Sequence, residues 1–309
     1  MTLFLHPRCW LVVILCLIEC HASASEGISP EGFRPFVTIG HRIDHLDWSV
    51  AGPTVNVLSE LRWQSLHSTS ITAGLEYAFS SWQLKGDVGY ARINSGTNQD
   101  SDYNGNNRTL EFSRSNNQAV GTLGDYSISV GQTVFQGSLA SSTYEFRPLV
   151  GFSKHQQQLT MFDGQQTLPI SASGPIFGLH NSYNATWKGP WLGAELLFSH
   201  ADYTFLSTLK LHSAAYSAEA DWNLRTEFSH PVSFRHSANG IGTSFSLGVS
   251  HALWKNTMVN VIFNAQSWST GAGIDQTLYA NGNVGYYWLN GVNWRSNRLD
   301  VGVTGDFLK

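Results

Sequence analysis

The sequence predicts an all-β fold, a transmembrane antiparallel β-barrel of about ten long strands with extended extracellular loops. Three observations support this prediction. Apolar and polar residues alternate along most of the chain, Trp and Tyr recur near the ends of the alternating segments, and short connections alternate with long ones. A soluble sandwich would bury its apolar face, whereas an outer-membrane barrel turns that face to lipid. The Trp and Tyr residues near the segment ends and the alternation of short and long connections favour the barrel.

The first element, residues 1–24, is predicted to be a secretory signal peptide. Arg8 precedes an apolar run at 10–18, and residues 22–24 (Ala-Ser-Ala) supply a small-x-small cleavage pattern. The run is shorter than the ~20 residues that a membrane helix needs. Cleavage at this pattern leaves residues 25–309 as a single barrel domain.

The three cysteines, Cys9, Cys16 and Cys20, all lie in this leader. The predicted mature chain therefore has no thiol, disulfide or Cys-based metal site. Lipid attachment at Cys20 is the alternative to ordinary cleavage, and Glu19 immediately before it fits that alternative poorly. The net charge of −4 comes without any basic block, which argues against a nucleic-acid partner.

Each strand is predicted from its period of two. From Leu61 to Phe79, for example, odd positions such as Trp63 and Ile71 are apolar and even positions such as Ser70 are polar, which places Leu61, Trp63 and Ile71 on one face. The predicted strands are 33–48, 56–79, 82–95, 123–135, 143–161, 181–199, 203–221, 242–253, 258–269 and 284–307.

The connections between these strands predict the orientation of the barrel. Short ones are expected at 79–82, 199–203 and 254–257, and long ones around 95–122, 160–180, 222–241 and 269–283. Several strands exceed the ~9–11 residues that a bilayer requires, so the barrel should rise above the membrane on the long-loop side. We expect that side to face outward from the outer membrane of a Gram-negative cell, with lipopolysaccharide as the lipid partner.

The stretch "NQDSDYNGNNRTLEF" at 98–112 falls in one of the predicted long loops. Two aspartates one residue apart, among Asn, Gly and Ser, are typical of a solvated turn. The stretch also fits the calcium-loop pattern D-x-[DN]-x-[DN]-G-x5-E, with oxygen ligands at alternate positions and an acidic residue at the twelfth. The ligands would be Asp100, Asp102, Asn104 and Glu111. Calcium is the one cofactor that the sequence suggests, although the predicted flanks are strands and Arg108 would oppose a cation.

Three short motifs carry a family resemblance: "LDW" at 46–48, "DSDY" at 100–103 and "EADWN" at 219–223. With the strand count and loop order, they make the chain resemble the omptins, outer-membrane proteases built as tall ten-stranded barrels. The chain looks closer still to an omptin-like group, the Protochlamydia outer membrane protein type. The resemblance covers nearly the whole mature chain, with sparse residue matches.

The resemblance implies a candidate catalytic site. In omptins an acidic pair and an Asp-x-His dyad face each other and activate a water that attacks a peptide bond. Asp100 and Asp102 match the pair, and Asp221 matches the aspartate of the dyad. Asn223 stands where the histidine should be and has no general-base function, so His230 or His236 is the expected substitute.

Two function classes therefore stay open. One is a divergent or degenerate endopeptidase with an acidic extracellular cleft, acting on extracellular peptides or proteins. The other is a non-enzymatic barrel that serves as a small channel, adhesin or structural surface protein. Ten strands lie near the size at which side chains fill a barrel, which counts against a general porin.

Overall fold

The computed structural model describes residues 31–254 and 256–308, so the predicted signal peptide lies outside the described residues. None of the described residues belongs to a helix that is long and apolar enough to cross a membrane. The strands are β1 Gly32–Ala51, β2 Ser59–Phe79, β3 Trp82–Tyr103, β4 Glu111–Gln132, β5 Phe135–Leu139, β6 Ser142–Leu168, β7 Gly174–Ile176, β8 Asn181–His200, β9 Tyr203–Asp221, β10 Phe234–Trp254, β11 Thr257–Thr270, β12 Gly273–Leu278, β13 Val284–Gly305 and β14 Phe307–Leu308.

These strands close into an antiparallel ring of ten, which confirms the predicted fold class. The order around the ring is β1, β2, β3, β4, β6, β8, β9, β10, β11/β12 and β13, which pairs with β1. β11 and β12 share one position, because each pairs with both β10 and β13. β5 and β7 add to β6, and β14 adds to β1. Among the described strands, closure leaves no free edge within the wall.

The strands extend further at the long-loop end than the alternation predicted. The stretch 95–122, expected to be a loop, is mostly strand: β3 runs to Tyr103 and β4 begins at Glu111. Asp100 and Asp102 thus lie in a strand and not in a loop. The Asn/Ser-rich sequence hid this because, beyond the lipid, a strand needs paired backbone groups and no apolar face.

An apolar band encircles the outside of the barrel at the short-turn end. In β3 it runs from Trp82 to Tyr90, and Arg92 and Asn94 follow on the outer face. Exposed members on other strands include Val37, Ile39, Ile71, Ile128, Phe152, Leu192, Leu209, Val261 and Val301. This band is the membrane-spanning part. Asp100, ten residues beyond Tyr90, lies ~33 Å further along the strand and outside the membrane.

A bulge above this band reverses the inner and outer faces. Ser65 has φ 50°, and the β2–β3 register shifts between Gln64 and His67. The prediction that Leu61 and Trp63 share a face with Ile71 is therefore wrong. Trp63 is 1% exposed inside the barrel, whereas Ile71 is 51% exposed to lipid, because the inserted residue changes the phase of the period.

The interior consequently has two different halves. Near the short turns it holds polar cavities of about 170 and 300 Å³, lined by residues such as Lys85, Glu195 and Lys210. Toward the long loops it is filled by an apolar core rich in aromatic rings, which include Trp48, Trp63, Tyr183, Trp187, Tyr216, Trp268 and Trp294. The interior is therefore polar only in the half near the short turns.

A buried ion network lies between these two halves. The Arg42 guanidinium donates hydrogen bonds to Asp44 Oδ2 at 2.8 Å and to Asp125 Oδ2 at 2.5 Å. His155 Nδ1 lies 2.7 Å from the other oxygen of Asp125, and Trp294 Nε1 donates to Asp44 at 2.8 Å. The network thus joins the polar lumen to the aromatic core.

Candidate functional site

The acidic pair lies at the long-loop end of β3. The register between β3 and β4 shifts between Ile93 and Thr97. Beyond this shift, the inner face of β3 carries Asn98, Asp100 and Asp102. Asp100 is paired with Leu61 of β2, an inward and fully buried residue. Both carboxyls therefore point toward the barrel axis at the upper edge of the aromatic core.

The electrostatics of this pair favour shared protonation. Burial, and then the neighbouring Asp102 carboxylate, raise the pKa of Asp100. Burial also raises the pKa of Asp102, while hydrogen bonds from Ser59 and Ser113 act in the opposite direction. Two close carboxyls in a partly buried position hold a proton because two adjacent negative charges repel and lose hydration.

The loop after β9, residues 222–233, supplies the groups that meet the pair. The Trp222 indole lowers the pKa of Asp100, and the positive charge of Arg225 lowers the pKa of both aspartates, so both groups lie near the pair. Trp222 is 7% exposed and packs on Phe234 with ring centroids 4.7 Å apart. An indole and a guanidinium from the opposite part of the ring thus lie near the acidic pair, and Arg225 itself forms an ion pair with Glu227 at 2.6 Å.

Asp221 lies on the other face of β9. The alternating residues Ala218 and Ala220 are buried inside the barrel, and Asp221 shares the outward face with the exposed Glu219. His230 Nδ1 lies 2.6 Å from Asp221 Oδ1. An Asp–His pair is therefore present, but it lies on the wall side of the strand. The expectation that Asp221 faces the acidic pair across the mouth does not hold, because the period of two turns Trp222 inward instead.

Asn223, at the position of the omptin histidine, connects two loops. Its side chain donates to Gly178 O at 2.8 Å and accepts from His180 N at 2.9 Å. Its own backbone N–H donates to Asn181 Oδ1 at 2.9 Å. The amide therefore satisfies backbone groups of the loop before β8.

His236, the other proposed substitute base, is buried in the aromatic core. Its Nδ1 lies 2.9 Å from the hydroxyl of Tyr183, and its ring meets Trp48 edge-on at 4.8 Å. Burial lowers the pKa of His236 to about 3, since the charged ring would lose its hydration. A histidine with this environment has no access to a water at the barrel mouth.

The predicted calcium ligands do not converge. Asp100 and Asp102 point inward from β3, whereas Glu111 forms an ion pair with Arg114. The Arg108 guanidinium forms an ion pair with Glu60 at 2.6 Å. The turn at 104–110 is closed by backbone hydrogen bonds. Among the described residues, no group of three or more His, Asp and Glu side chains is placed to hold a metal ion.

Sequence reasoning missed Trp222 and Arg225 as neighbours of the acidic pair. The motif "EADWN" drew attention to its aspartate, yet continuing the alternation of Ala218 and Ala220 by one step places Trp222 inside. That period was a usable signal. The approach of Arg225 depends on how the loop folds, which no local pattern encodes.

Comparison with known proteins supports this fold. Residues 36–307 match the family model described as Protochlamydia outer membrane protein. No curated protein sequence matches the chain. Among solved structures, the outer membrane protease OmpT from Escherichia coli aligns with TM-score 0.76 and 12% identity, covering 93% of this chain and 100% of that one.

Other outer-membrane barrels are much less similar in shape. The translocator domain of autotransporter NalP from Neisseria meningitidis aligns with TM-score 0.36 and 10% identity over 97% of this chain and 95% of that one. OprG from Pseudomonas aeruginosa aligns with TM-score 0.30 and 11% identity over 91% and 99% of the two chains. The fold is thus that of an omptin-like outer-membrane barrel, and the chain belongs to the Protochlamydia outer membrane protein family.

Proposed function

We propose that this protein is a sealed, non-enzymatic omptin-like barrel that presents its long-loop end for binding at the bacterial surface. The observation that carries the proposal is the placement of Trp222. The group from the loop after β9 that lies near Asp100 is the Trp222 indole, and the Asp221–His230 pair lies on the opposite face of the strand. A general base must lie within hydrogen-bond reach of the water that it activates.

The interior supports the same proposal. Arg42 and its carboxylate partners, followed by the aromatic core, occupy the barrel above the polar cavities. Close-packed protein interiors leave few voids that admit water. We therefore assign no channel function to the lumen. The strands extend far beyond the apolar band only at the long-loop end, which is the arrangement of the extracellular side in bacterial barrels.

Peptide turnover tests the proposal. We expect neither the wild-type protein nor Asn223→His, folded in detergent with lipopolysaccharide, to cleave a broad peptide library that the protease OmpT cleaves under the same conditions. A histidine at 223 would still lie beside Asp221 on the wall side and would lose the hydrogen bonds to Gly178 and His180. Mass spectrometry of the library measures turnover, and specific cleavage by either protein would contradict the proposal.

A second candidate function rests on the 2.6 Å contact between His230 and Asp221. It is a divergent endopeptidase in which the loop 222–233 carries His230 to the acidic pair when substrate binds. In that case the wild-type protein cleaves peptides, and His230→Ala and Asp100→Asn each abolish cleavage. Arg235→Ala, in an exposed ion pair on the same wall, is the matched control and should keep full activity.

A further inference from the structure

The outer wall of the long-loop end carries a concave surface, which we call the wall surface. It is formed by outward side chains of β8, β9, β10, β12 and β13, chiefly Ser217, Glu219, Arg235, Gln276, Tyr286 and Trp288. A concavity of about 580 Å³ lies over its centre. Small-molecule sites in proteins have volumes of ~300–1,000 Å³.

One exposed aromatic ring, Tyr286, lines this concavity, and a second, Trp288, lies two residues further along β13, paired with the lining residue Ile274. Tyr286 is 68% and Trp288 69% exposed, and both project from the same face of β13. The Tyr286 hydroxyl accepts a hydrogen bond from Gln276 Nε2 at 3.3 Å, which orients the ring. Rings held on a rigid strand offer contact area at a small entropic cost.

Apart from the exposed Ile274, the rest of the wall surface is mainly polar and electrically balanced. Arg235 Nε donates to Glu219 Oε1 at 2.8 Å, so the two charges offset each other. The exposed hydroxyls of Ser217 and Ser237 and the amide of Asn184 lie on the neighbouring strands. Together these groups supply donors and acceptors in directions that suit neighbouring hydroxyls.

Exposed rings beside neutral donors and acceptors match the chemistry of a saccharide. A sugar presents C–H groups from one ring face, which stack on Tyr or Trp, and hydroxyls around its edge, which pair with amides, carboxylates and guanidinium groups. A lipid tail would leave the polar groups of the surface unpaired, at a cost in free energy. A strongly charged ligand would find no net charge to oppose its own.

The position of the wall surface identifies the source of the saccharide. Trp288 lies eleven residues before Leu299, the first lipid-facing residue of β13, and hence ~25–30 Å above the apolar band once strand tilt is included. The surface faces sideways, toward whatever stands beside the barrel. In an outer membrane, the neighbours at that height are the sugar chains of outer-leaflet glycolipids.

We propose that the wall surface binds the saccharide chain of a neighbouring outer-leaflet glycolipid, with Tyr286 and Trp288 as the stacking rings. The proposal rests on the outward orientation of the long loops given above. It does not depend on the absence of proteolysis.

The test is binding of delipidated carbohydrate, prepared from Gram-negative lipopolysaccharide by mild acid, to the full barrel in detergent. Calorimetry should show binding to the wild type, and Tyr286→Ala and Trp288→Ala should each weaken it about tenfold, as expected for loss of an aromatic anchor. Phe177→Ala, an exposed ring on the loop between β7 and β8, is the matched control and should bind as the wild type does.

Several outcomes would overturn this inference. The first is that the wild type does not bind the delipidated carbohydrate, and the second is that Trp288→Ala binds it as tightly as the wild type. The third is that the wild type binds intact lipopolysaccharide but not its delipidated carbohydrate, and the fourth is that it binds dextran equally strongly.

Orientation is tested separately by labelling Ser171→Cys on intact cells with an impermeant maleimide, because the native cysteines all lie within residues 1–20. Absence of labelling would reject the outward orientation while leaving the binding result to stand on its own.

Discussion

Replacing Trp187 by alanine is expected to lower the free energy of unfolding of the barrel by about 3–5 kcal/mol. Trp187 is fully buried at the centre of the aromatic core. Its ring centroid lies 4.5 Å from that of Tyr216 and 5.8 Å from that of Trp268. Surrounding strands are fixed by the closed ring and will not collapse into the space, so the cavity persists.

Urea unfolding in lipid vesicles measures this effect. The matched control is Trp288→Ala, the same substitution at a residue that is 69% exposed, which should change the free energy by less than about 0.5 kcal/mol. A loss below about 1 kcal/mol for Trp187→Ala would mean that the upper interior is not packed as described.

Replacing Arg42 by methionine is expected to cost about 3–5 kcal/mol as well. The guanidinium is 2% exposed and is the donor shared by Asp44 and Asp125. Removing the cation leaves two carboxylates without their shared charged partner, and breaking a buried ion pair by removing one member is strongly destabilising.

The same unfolding measurement provides two checks on this prediction. Arg235→Met breaks an exposed ion pair and should cost at most about 1 kcal/mol. Adding Asp44→Asn to Arg42→Met should recover part of the loss, because one of the unpaired charges is removed. If the double variant is less stable than Arg42→Met, the ion network does not account for the effect.

The fold was predictable from the sequence because alternation reports directly which residues face lipid. Segments such as Trp82–Tyr90 show an uninterrupted period of two, and their strand assignments are confirmed. The bulge at Ser65 was not predictable, since a single extra residue leaves apolar Trp63 in apparent phase with Ile71. The two residues face opposite environments, and sequence hydrophobicity alone does not distinguish lipid from core.

The candidate site was predictable only in part. The motif match directed attention to Asp100 and Asp102, which do lie side by side at the barrel mouth. The contact between Asp221 and His230 crosses a loop whose course depends on hydrogen bonds such as that from Trp222 N to Ser233 Oγ at 2.9 Å. The face of β9 that carries Asp221 follows from the period of two, but the approach of His230 to Asp221 depends on such tertiary contacts, which leave no local signature.

The half of the barrel toward the long loops is a solid aromatic core that seals the lumen. Conductance in planar lipid bilayers measures whether ions pass through the barrel, with an open outer-membrane porin as the reference in the same membrane. We expect the inserted wild-type protein to give no current steps above baseline at an applied voltage that drives ions through the porin. Regular steps of uniform size from the wild-type barrel would contradict this expectation.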